Sequence, residues 1–236
     1  MNYAVLVLCL FIALPLAAQN RSYDVLEYRA ELAFDIEQRR IGGTADVLLR
    51  NISRSPIQQV DFDLRDNVVS SVRVNNVRAL WEQNDSVLTI ALPRALSSLD
   101  SATVSIAYEG AHAPVIPGTY ATGVQFGPKI VSAKAQSSDH WYVSMTCHWL
   151  PCNNIFADKA VYDITYDVPA GLVAAGQGTL VDAQLGMERS RFRWRMRDPI
   201  HPHTAGWAVG PYFHFTDVCE GFPVEYFVLK GYDLRL

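Results

Sequence analysis

The chain has 236 residues, half of them hydrophobic and 19% charged, with 20 Lys and Arg against 24 Asp and Glu. That apolar content is enough for a sizeable core and excludes a disordered chain. A formal charge of −4 with no run of Lys or Arg argues against nucleic acid as a partner.

The first element is the apolar run Ala4 to Ala18, which stops at Gln19, Asn20 and Arg21. It falls short of the about 20 residues that a membrane span needs, and Leu16-Ala17-Ala18 puts small residues where a signal peptidase cuts. Residues 1–18 are read as a signal peptide and residues 19–236 as one domain, secreted or periplasmic, with no transmembrane segment after cleavage. An uncleaved anchor is the alternative. Losing Cys9 with the signal leaves Cys147, Cys152 and Cys219, so at least one thiol has no partner within the chain. Asn20, Asn51 and Asn84 head Asn-x-Ser sequons, which matter only in a eukaryotic secretory pathway.

From Tyr23 onward the pattern is β. Tyr23 to Phe34 alternates over its second half, Glu37 to Arg40 is a polar turn, and Ile41 to Leu49 returns, with Gly42-Gly43 expected as a bulge. Further strands are predicted over 60–64, 68–74, 87–92 and 102–108, with turns at Asn75-Asn76, Asn84-Asp85 and Ser97-Ser98. Residues 110–157 are rich in Gly and Pro and read as loop. Strands resume over 159–168, 173–181, 190–197, 204–209, 212–216 and 224–229. Short strands at this spacing, with no amphipathic helix of three turns, predict an all-β sandwich of mostly antiparallel strands.

The densest chemistry lies in Cys147-His148-Trp149-Leu150-Pro151-Cys152-Asn153-Asn154. A zinc knuckle needs a second pair of ligands at similar spacing, and the nearest pair is His201-Pro202-His203, which on a strand would share a face. With no third compact partner, no metal site is predicted. The spacing excludes a redox C-x-x-C. A local disulfide would close a short ring and stabilise little, so packing of two small apolar side chains is the favoured reading. None of the six histidines is followed by Glu, so the chain cannot form HExxH, and there is no G-x-S-x-G elbow.

The spacing from Trp149-Leu150-Pro151-Cys152 to Lys159-Ala160-Val161-Tyr162 resembles the N-terminal β-domain of M1 zinc aminopeptidases, which are aminopeptidase N-like. Val168 to Ala174, Trp194 to Pro199 and Ala208 to Tyr212 are similar to further strand motifs of that family, and Tyr23 to Leu49 to its opening hairpin. The resemblance covers nearly the whole chain after residue 18 and implies a saddle-shaped β-sandwich in which Trp149, Pro151, Cys152, Asn154 and Lys159 are structural signature positions. It also implies that Gln136 and Ser138 lie where the family holds the substrate's free amino group. Four positions depart from the pattern: Asn154 stands for Asp, Phe156 for Pro, His148 for Arg, and Ser138 for an acid or amide, which a hydroxyl replaces poorly at an ammonium ion.

The family's zinc belongs to a thermolysin-like catalytic domain whose HExxH this sequence lacks. No catalytic residue and no cofactor are therefore assigned to this chain. The expected partners are a peptide substrate or a separate catalytic domain, the chain being a truncated or split form that does not hydrolyse peptides alone. The rival expectation is a stand-alone exported binding module derived from that domain.

Overall fold

The computed structural model describes residues 21–112, 124–126, 130–131, 137–138, 141–143, 145–155 and 157–231. The predicted signal peptide lies outside them. Strands β1 (Tyr23–Asp35) and β2 (Arg40–Asn51) form the opening hairpin. Tyr28, Ala30, Leu32 and Phe34 on β1 and Ile41, Ala45, Val47 and Leu49 on β2 are buried, so the period-two pattern gives one apolar face. The glycine pair is not a bulge. Gly42 and Gly43 stay in register with Ala33 and Leu32, and the irregularity falls between Val25 and Glu27. A Cβ on Gly43 would stand 1.9 Å from the Glu31 carbonyl oxygen, so Gly is there for close backbone approach.

The chain continues through β3 (Ile57–Asp63), β4 (Val68–Val74), β5 (Val77–Arg78), β6 (Leu80–Gln83), β7 (Val87–Leu96) and β8 (Ser101–Ala111). The two short strands β5 and β6 were not predicted. Asn75 and Asn76 both take positive φ, 49° and 67°, making a tight turn that lays β5 back on β4. The loop-rich stretch carries β9 (Val124–Phe126), β10 (Ile130–Val131), β11 (Ser137–Ser138) and β12 (Trp141–Val143), then a 3₁₀ turn over Thr146–His148.

The second half comprises β13 (Ala160–Pro169), β14 (Val173–Gly176), β15 (Thr179–Leu185), β16 (Arg189–Ile200), β17 (Trp207–Gly210), β18 (Tyr212–Cys219) and β19 (Phe222–Leu229). The single strand expected over 173–181 is two. Gly178, at φ 87° and with its absent Cβ only 2.2 Å from the Arg195 carbonyl oxygen, diverts the chain from one sheet to another.

An eight-stranded sheet runs β15-β16-β13-β1-β2-β8-β4-β5, antiparallel throughout except for the central pair β1 and β13. A three-stranded sheet β3-β7-β6 and a four-stranded sheet β14-β17-β12-β9 lie in the same hydrophobic core. Tyr23 meets Phe62 at 5.8 Å between ring centres, and Phe34 meets Trp207 edge-on at 4.8 Å. This is the all-β layered fold the alternation predicts. On the opposite, polar face of the large sheet Asp163 is gripped by Arg193 (2.7 Å through each nitrogen) and Arg195 (2.6 Å), which hold its carboxyl below the usual range.

Candidate functional site

Residues 145–158 cross from the short strands to β13, and partners distant in sequence stitch them down. The backbones of Cys152 and Asp63 exchange hydrogen bonds of 3.1 and 2.8 Å, so the loop adds a rung beyond the end of β3. The Arg65 amide donates to the Cys147 carbonyl at 2.7 Å. Tyr108 donates its hydroxyl to the Trp149 carbonyl at 2.7 Å, and Asn67 donates its amide to the His148 carbonyl at 2.8 Å. The Asn153 amide donates to the Tyr28 hydroxyl at 2.9 Å, while the Thr146 hydroxyl donates to the Pro202 carbonyl. Trp149 is fully buried and meets Trp207 edge-on at 6.4 Å.

Charge enters this packed loop at few points. Asp63 Oδ2 accepts from Arg21 at 2.7 Å and from the Asn154 amide at 3.1 Å. Arg21 also donates to the Asp61 carbonyl at 2.5 Å and to the Tyr23 hydroxyl at 3.2 Å. His148 Nδ1 lies 2.5 Å from Asp66 Oδ2. His112 is pushed down to about 4, by burial first; Asp66 pulls the other way and His148 adds to the drop.

Cys147 and Cys152 are both buried, and they are not bridged. Burial raises the Cys147 thiol and drives that of Cys152 well above the ordinary value. Neutral thiols are poor nucleophiles and poor metal ligands, so packing is the role the geometry supports. Nor do His201 and His203 share a strand face: Pro202–Thr204 is a 3₁₀ turn, and His201 Nδ1 lies 3.2 Å from the Asp158 carbonyl. Among the described residues no three His, Cys, Asp or Glu side chains come together as a metal site.

The predicted positions separate. Trp149, Pro151 and Cys152 are buried in the loop, Asn154 is half-buried, and Lys159 is exposed between buried Asp158 and Ala160. Asn154 Nδ2 points to Cys147 Sγ at 3.8 Å, and its Oδ1 is buried with no donor among the described residues. Ser138 lies on β11, its backbone paired with Ile130. Gln136 and Phe156 lie outside the described residues. The sequence reading missed Arg21, Asp63, Tyr28, Tyr108 and Asp158. The only local trace of Asp63 is its place in the alternation Val60-Asp61-Phe62-Asp63, which reads as a solvated strand face.

No family model and no curated protein matches the sequence. Solved structures do. A point mutant of the M1 zinc metallopeptidase from Deinococcus radiodurans superposes with a TM-score of 0.75 at 22% identity, over 91% of this chain and 49% of its own. The fold is that of M1 zinc metallopeptidases. A two-domain M1 zinc metallopeptidase bound to L-tryptophan gives 0.76 at 22% identity, over 92% of this chain and 50% of its own. Yeast LTA4 hydrolase with bestatin gives 0.64 at 17% identity, over 82% and 29%. The chain thus spans about half the length of the two M1 metallopeptidase structures.

Proposed function

We propose that this chain is the β-domain of an exported M1-type zinc aminopeptidase and walls one side of a peptide cleft beside a separate catalytic domain. The observation that carries this reading is the extent of the match: nine-tenths of this chain against half of each M1 structure. One of the Deinococcus structures is bound to a Tyr-Ser-Ala substrate, which supports a peptide as the ligand class. Export rests on the apolar run from Ala4 to Ala18.

The described residues do not fit the family's zinc, since no three candidate ligands converge and no histidine is followed by Glu. The metal and the chemistry it supplies are therefore assigned to the catalytic domain, and the role of these residues is positional. The loop 145–158 is braced from β1, β3, β8 and the segment after β16, so it presents a fixed edge.

Purified chain with zinc and aminoacyl reporter substrates is expected to show no turnover. Added to an M1 catalytic domain bearing HExxH, it is expected to form a complex by size-exclusion chromatography and to change kcat/KM for peptides. Metal-dependent turnover by the chain alone would overturn the assignment. Failure to associate with a catalytic domain would do so as well, in favour of a stand-alone binding module.

A further inference from the structure

Strands β18 and β19 form a sheet of their own, paired with no other strand among the described residues. A two-stranded hairpin is marginal in water unless its apolar side is covered. One side is covered: Phe227 packs on Trp194 at 5.9 Å and on Tyr212 at 6.1 Å between ring centres, and His214 stacks on Phe227 at 4.4 Å. Alternation turns the intervening residues to the other side, where the register sets Phe213 beside Val228, Phe215 beside Tyr226 and Cys219 beside Phe222. Phe213, Phe215 and Tyr226 are 46, 47 and 48% exposed, and Phe222 is 73% exposed. Four aromatic rings left together in water mark an interaction surface.

Charge indicates the occupant. This face carries two charged side chains, one toward each end. Asp217, paired with Val224, lies near the turn at Glu220-Gly221. Lys230 lies at the base, where its amide donates to the Pro211 carbonyl at 2.8 Å and its Nζ sits 5.6 Å from the centre of the Phe213 ring. Neither side chain is in an ion pair among the described residues. A twofold axis through the Phe215–Tyr226 pair lays the Phe213 rung of one copy over the Asp217 rung of the other. Each Lys230 then meets Asp217 of the second copy, with the rings stacked between the two charge pairs. We propose that the outer face of the β18–β19 hairpin docks a second copy of this chain in this isologous arrangement. A lipid surface fits less well, since Asp217, Glu220 and Glu225 set three carboxylates on the hairpin against one lysine. The strip is about 25 Å long and 10 Å wide, below the about 800 Å² per partner of a standard interface. The dimer is therefore weak, with Kd about 1–100 µM.

The inference does not depend on the peptidase reading, and its test uses the full chain alone. Sedimentation velocity over about 1–200 µM protein, with reductant present to keep exposed Cys219 from cross-linking, is expected to show a monomer–dimer equilibrium. Asp217→Lys and Lys230→Asp change exposed residues and should each weaken association about tenfold or more, because each sets like charges against each other twice. The two changes combined should restore it to within about threefold of wild type. Phe215→Ser should abolish association while the near-UV circular dichroism of the packed core is retained. A single monomeric species throughout the range overturns the proposal and leaves this face for the catalytic domain of the proposed function. Assembly beyond a dimer overturns it too, as do single charge changes without effect or a double swap that fails to restore what they remove.

Discussion

The Asp63 side chain braces the cysteine loop through one oxygen, Oδ2, taking Arg21 on one side and the backbone amide of Asn154 on the other. Asp63→Ala leaves a largely buried guanidinium and a loop amide unpaired, and is expected to cost about 2–4 kcal/mol in urea denaturation. That hydrogen bond comes from the backbone of residue 154, where the family resemblance implies Asp, while the side-chain amide of Asn154 points its Nδ2 to Cys147 Sγ at 3.8 Å. A carboxylate there would lose the Nδ2 contact with Cys147 and add a second negative charge on the residue whose backbone already binds the Asp63 carboxylate. Asn154→Asp should therefore destabilise by about 1–2 kcal/mol at pH 7 and by less at pH 4, where the new group is protonated. Asp158 has its folded value raised to about 6 from 3.8. Its contribution is fully present below about pH 4 and is lost as pH rises through 6, because the fold binds its proton more tightly than the unfolded chain does. The stability of Asp158→Asn relative to wild type should increase across that interval, as read by urea denaturation at each pH. His112 acts oppositely: its value is lowered from 6.5 to about 4, so its contribution is lost as pH falls between those limits.

At the level of elements, the long alternating strands were legible because each carries its own evidence. Tyr28, Ala30, Leu32 and Phe34 on β1 need no distant partner to declare a buried face. The strands that escaped notice are short and polar, such as β5, or are divided by one backbone feature, as at Gly178. The loop 145–158 was recognisable as scaffold from its internal spacing, but the groups that fix it were not. Tyr108 and Tyr28 reach it from strands 41 and 125 residues away, and register between distant strands is not written locally. The sequon at Asn51 shows the same gap. Its side chain is fully buried and donates to the Ser55 and Leu96 carbonyls at 3.0 and 2.9 Å, whereas Asn84 is exposed. Expressed through a eukaryotic secretory pathway, the folded protein should carry glycan at Asn84 and not at Asn51, as read by peptide mass spectrometry. Gly110 offers a further test. A Cβ there would stand 2.1 Å from the Asp66 carbonyl oxygen and 2.6 Å from Asn67 Oδ1. Since Asn67 holds the His148 carbonyl, Gly110→Ala should cost about 2–4 kcal/mol and shift the emission of buried Trp149.

For the molecule as a whole, the large sheet is two antiparallel blocks joined along one seam, where Glu27 to Ala33 runs parallel to Val161 to Asp167. Neither block is closed without the other. A ribosome delivers the first partner of that seam well over a hundred residues before the second. At cellular elongation rates β1 then waits on the order of ten seconds with one hydrogen-bonding edge unfilled. An open edge of that kind is a template for the wrong strand, including the β1 of a neighbouring nascent chain. Synthesis is thus the hazardous interval for this protein, and holding the chain unfolded until β13 has emerged, as post-translational export does, would carry it past the danger.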